Sequence, residues 1–109
     1  MPGPSADRWS YAELELRYGR GHERPARIRW TPPDGTGRIT VGMPAETDPL
    51  TALVERLGGA LPPDATEATE VDLLDALGER GWWLAATRTQ DAGSGERRTL
   101  TFVRPRREP

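Results

Sequence analysis

Residues 26–41 read ARIRWTPPDGTGRITV, and that stretch leaves the chain little choice but a β-hairpin. Two short alternating runs flank a Pro-Asp-Gly connection. Pro33 presets φ and Gly35 supplies a positive φ, so the turn has a mechanism. Ile28 and Trp30 share one face with Ile39 and Val41 across the hairpin. Arg27, Arg29, Arg38 and Thr40 take the other face.

The rest of the chain has to build on that hairpin. WSYAELELRY at 9–18 reads as a strand, with Ala12, Leu14, Leu16 and Tyr18 alternating with Glu13, Glu15 and Arg17. Trp9 and Tyr11 have the opposite parity, so either both faces are partly covered there or a bulge switches the parity. If this strand pairs with the hairpin, Arg27 and Arg29 are expected opposite Glu13 and Glu15. GRGHERP at 19–25 is a loop.

Asp48 is the expected N-cap of a first helix, with Pro49 in its first turn. Leu50, Leu53, Val54 and Leu57 recur at helical spacing, and Gly58-Gly59 stops the helix. Residues 60–68 read as a linker. Thr69, with Asp72 three residues on, resembles a capping box for a second helix. Its apolar stripe is Val71, Leu74 and Leu77, with Leu73 beside it, and Gly81 ends it. Residues 82–88 are a strand, 89–96 a polar glycine-rich loop, and 97–105 the last strand, closed by Pro105. Residues 1–7 and 106–109 are expected to be disordered. The order β-ββ-α-α-β-β describes one α+β domain over residues 8–105: an antiparallel sheet of about five strands with two helices on one face.

At 109 residues the chain suits a single domain. It contains no run of the roughly 18 apolar residues that a membrane-spanning helix needs. Its N-terminus lacks the basic and apolar regions of a signal peptide, and a cytoplasmic location is the expectation. With no cysteine, disulfides, thiolate zinc ligands and thiol nucleophiles are excluded. All fifteen basic residues are arginine, and lysine and asparagine are both missing. That bias points to a GC-rich genome and an actinobacterial source. The net charge of −2 argues against a general polyanion binder. The charge is nevertheless segregated. Arginines gather at 17–29 and 97–107, and acids at Asp64, Glu67, Glu70, Asp72, Asp75 and Glu79.

LLDALGERGWWLAATR followed by RTLTFVRP resembles a bacterial family of small domains of unknown function. Its members open on a W-x-Y strand, run L-N-x-L-G-x-x-G-W-E-L-V from helix to strand, and end on a strand closed by a basic residue and proline. WSY at 9–11 matches the opening. Leu74, Leu77, Gly78, Gly81, Trp82 and Leu84 match the middle, and Phe102, Arg104 and Pro105 the end. The resemblance implies a β-α-β-β core, with residues 26–58 added to it, and implies no activity and no catalytic residues. Trp83 stands where that family typically carries Glu.

These motif residues are expected to play structural roles. Gly81 is expected to take the left-handed conformation that closes a helix. Gly78 is expected to let the helix approach the sheet closely, and Trp82 to enter the core.

Little in the sequence points to catalysis. His22, the single histidine, sits on a glycine-flanked loop and is a candidate pocket residue, with Glu23 or Asp34 as partner for general-base work. No metal site and no cofactor are expected. YGRGH and DGTGR do not open helices and are not phosphate loops. The expected function is a non-catalytic protein-interaction or regulatory module, oligomeric or part of a complex. Trp83, Trp9 and Tyr11 are its candidate interaction residues, because exposed Trp and Tyr are common hot-spot anchors. One alternative is nucleic-acid binding through Arg20, Arg24, Arg27, Arg29 and Arg38. The other is a small-molecule binder or enzyme of a specialised bacterial pathway, with a pocket near His22.

Overall fold

The computed structural model describes residues 9–21, 24–33, 38–42, 48–59, 61, 63–93 and 95–105. The expected disorder at 1–7 and 106–109 lies outside those residues, as does His22. The elements are β1 (Trp9–Gly19), β2 (Arg27–Thr31), β3 (Ile39–Gly42), α1 (Pro49–Arg56), α2 (Glu70–Glu79), β4 (Trp83–Ala92) and β5 (Gly95–Pro105). All strand pairs are antiparallel, in the order β3-β2-β1-β5-β4. The five-stranded sheet and two helices form the α+β fold expected. No described helix is long and apolar enough to cross a membrane.

β1 alternates as its sequence does: Ala12, Leu14 and Leu16 are buried under the helices. Its register with β5 runs unbroken from Trp9 opposite Pro105 to Gly19 opposite Gly95. No bulge switches its parity, so Trp9 and Tyr11 lie on the face away from the helices. In the β2–β3 hairpin, Ile28 faces Val41 and Trp30 faces Ile39. The β1–β2 register corrects one expectation. Arg29 does lie opposite Glu15, but Arg27 lies opposite Arg17, and Glu13 faces Thr31.

Both helices are capped by their own side chains. Asp48 accepts a bond from the Thr51 backbone N–H at 3.1 Å, and Pro49 needs no donor partner there. The capping box at α2 forms with an aspartate: the Asp72 carboxylate accepts from the Thr69 N–H at 2.8 Å, and the Thr69 hydroxyl accepts from the Asp72 N–H at 3.2 Å. Gly58 and Gly81 close the helices at φ +81° and +89°. Behind each, paired backbone bonds satisfy the last carbonyls, such as Trp82 N–H to Leu77 O at 3.0 Å.

Three details differ from the sequence reading. The buried stripe of α2 is Leu73, Ala76 and Leu77, while Val71 is exposed. Gly78 is exposed, and a β-carbon there would meet nothing within 4 Å, so it does not mediate helix–sheet contact. Finally, residues 89–92 belong to β4 and 95–96 to β5, where the sequence suggested an eight-residue loop.

The core lies between the inner sheet face and both helices. Trp30 packs edge-on against Trp82 and Phe102, with ring centroids 5.6 and 5.9 Å apart. The Arg104 guanidinium lies 4.1 Å from the centroid of the Trp82 ring. Below the helices, the Thr51 hydroxyl accepts from the buried Ala68 N–H at 2.8 Å and ties the inter-helix linker to α1.

Candidate functional site: the outer sheet face

Both helices pack on the inner face, and among the described residues no element covers the outer one. In antiparallel strands, residues directly opposite one another share a face, and the register turns this surface into rows. At one end Trp9 lies opposite Pro105. The next row is Tyr11–Val103–Trp83, across β1, β5 and β4. Trp83 keeps 60% of its surface exposed and Tyr11 48%, while Trp9 and Val103 are half-buried. The structure thus brings together the three aromatic residues singled out in the sequence. Trp83 is covered neither by the hairpin nor by α1.

The opposite end of the face is basic. Arg27, Arg17 and Arg97 form one row, ending at Gln90. The Arg97 guanidinium donates to the Gln90 side-chain oxygen at 2.8 Å. The adjacent row is Arg29–Glu15–Thr99–Arg88. Glu15 takes a 3.1 Å ion pair from Arg17, its neighbour along β1. Like charges side by side across strands repel. Glu15 offsets Arg17, so the net positive charge of the row rests on Arg27 and Arg97. Six residues separate it from the aromatic row, about 20 Å at the rise of an antiparallel strand.

Of the arginines proposed from sequence, Arg27 and Arg29 lie on this face. Arg38 is exposed two residues before Thr40, and Arg20 is exposed just after β1. Arg24 stands apart. Its guanidinium pairs with Asp48 at 2.5 Å and Glu67 at 2.8 Å, and donates to the Ala68 carbonyl at 2.7 Å. It braces the α1 cap to the linker. This bonding, led by the Arg24 hydrogen bond, holds the Asp48 carboxyl below its ordinary value. Arg17, Arg88 and Arg97 belong to the face but were not chosen from sequence. Only the strand register places them beside Arg27 and Arg29.

A polar cleft of about 530 Å³ opens on the helix side, lined by Tyr18, Arg24, Thr69, Glu70 and Arg98 among others. Glu70, in its lining, accepts from the Tyr18 hydroxyl at 2.5 Å and from Arg98 at 2.6 Å. Burial, then the bond to Glu70, pushes the Tyr18 phenol up to about 12. Among the described residues, the cleft's cations Arg24 and Arg98 already hold carboxylates of the same chain.

Compared with models of protein families, with curated proteins and with solved structures, the chain matches none.

Proposed function

We propose that this chain is a non-catalytic protein-interaction or regulatory module that binds a partner through the aromatic end of its outer sheet face. One observation carries the reading: the exposed Trp83 and Tyr11 flank the half-buried Val103 in a single row. Trp and Tyr supply large contact area at low entropic cost, and such residues dominate binding energy when a partner covers them. The arginine rows at the other end of the face would orient a partner carrying acidic groups.

Affinity capture from the source cells, comparing the native chain with a Tyr11→Ser/Trp83→Ser double variant, tests the proposal. The expected result is a partner held by the native chain and lost by an equally folded variant. A partner held equally by both, or none held by either, overturns it.

A second reading rests on the presence of arginines and aromatics on the same face. Single-stranded nucleic acid is bound by such platforms, its bases stacked and its phosphates paired. Titration of an oligonucleotide across a salt series separates the two readings. Nucleic-acid binding requires affinity that falls steeply with salt and weakens in Arg27→Ala and Arg97→Ala.

A further inference from the structure

The sheet ends on two unlike edges. β3 is four residues long, and short edge strands are one way in which proteins prevent a sheet from pairing with another chain. β4 is ten residues long, and residues 83–91 are all exposed. Alternate residues of a strand point to opposite faces, so the strand is bare on both. Among the described residues, no strand pairs with its outer side. From Ala86 to Gln90 it carries no proline and one charge, Arg88. Its irregularity is the bulge between Leu84 and Ala86, close to one end.

We infer that β4 is a pairing edge for a second copy of this chain, joined antiparallel about a two-fold axis at Thr89. The sequence of the regular stretch, ATRTQDA, suits a second copy of itself, with alanine at both ends and threonine at its centre. A two-fold axis normal to the sheet sets one residue opposite itself and its neighbours opposite each other in turn. Centred on Arg88, the strand opposes two guanidiniums; centred on Asp91, two carboxylates; both repel. Centred on Thr87, pairing reaches the bulge at once, and centred on Gln90 it reaches the turn at Gly93 after two residues.

The regular part of β4 is the seven residues 86–92, bounded by the bulge and by the turn at Gly93. Its midpoint is Thr89. Centred there, Thr89 meets Thr89, Arg88 meets Gln90, Thr87 meets Asp91, and Ala86 meets Ala92. The two Arg88 side chains fall diagonal to each other, each opposite Gln90, whose side-chain oxygen also accepts from Arg97 of its own chain, and the threonine pair is a favourable cross-strand pair. Two five-stranded sheets become one of ten strands. Both outer faces then point the same way, so the aromatic and arginine rows are presented twice on one surface. The inference concerns an edge, and stands whether or not the outer face binds a partner.

Light scattering of the full chain over a dilution series tests it, with a dimer expected. Thr89→Arg and Thr89→Glu each give a monomer with unchanged circular dichroism, and mixing the two restores a dimer. Because the chain has no cysteine, Thr89→Cys links two copies on oxidation. Ala86→Cys does not, since its counterpart is Ala92. A monomer at every concentration overturns the inference, as does a dimer that survives Thr89→Arg. A dimer lost on Trp83→Ser but kept in Thr89→Arg places the contact on the outer face and also overturns it. So does pairing of β4 with a segment of another protein without self-association.

Discussion

Trp82 and Trp83 are neighbours in the chain and serve opposite faces of the sheet. Trp82 retains 6% of its surface and packs edge-on against Trp30, whereas Trp83 retains 60% and stands beside Val103. Trp82→Ala is expected to cost about 3–5 kcal/mol, the range for emptying a large buried aromatic site. Trp83→Ala is expected to stay within about 0.5 kcal/mol, as for a surface substitution. Urea denaturation of both variants measures the contrast.

Gly78 and Gly81 separate in the same way. Gly81 sits at φ +89°, and a β-carbon there would approach the Arg104 side chain at 3.3 Å. Gly81→Ala is therefore expected to destabilise by about 1 kcal/mol or more. Gly78 is helical and open to solvent, so Gly78→Ala is expected to stabilise by up to about 1 kcal/mol. Thermal melting of the two variants should shift in opposite directions.

Thr51 holds the linker by accepting from the buried Ala68 N–H. Thr51→Val keeps the shape and removes the acceptor. The orphaned donor is expected to cost about 1–3 kcal/mol, while Thr51→Ser retains the bond. Denaturation midpoints of the two variants distinguish the hydrogen bond from packing.

Asp48 and Tyr18 tie stability to pH. The Asp48 carboxyl is lowered in the folded chain, chiefly by Arg24. Its stabilisation is present above the unfolded carboxylate value of about 4 and is lost as pH falls through the folded value. Arg24→Gln is expected to flatten that acid limb. The Tyr18 phenol is raised to about 12 by burial and by Glu70. Its contribution is complete below the ordinary phenol value near 10 and is lost as pH rises toward 12. Stability measured across the alkaline range is expected to fall less in Tyr18→Phe, and the contribution of Tyr18 to the tyrosinate absorbance near pH 12 should be lost.

The sequence by itself determined the elements whose signals are local. The alternation of Ala12, Leu14 and Leu16, the capping residues Asp48 and Thr69, and the stop at Gly81 each depend on neighbours a few positions away. The fold class follows from their order. The sequence also showed Trp82 and Trp83 on opposite sides, because adjacent residues at a strand entrance diverge.

Tertiary structure alone decided the rest. β4 runs to Ala92 where its polar residues suggested a loop. A strand bare on both faces needs no alternation, so period two disappears from its sequence. The buried face of α2 turned toward Leu73 and Ala76, because the sheet beneath selects which of several apolar positions it covers. The functional surface depends on register. Tyr11 and Trp83 are 72 positions apart in the chain, and so are the ends of no local pattern. Only the placement of β5 between β1 and β4 sets them around Val103, and the same pairing lines Arg17 up with Arg27 and Arg97.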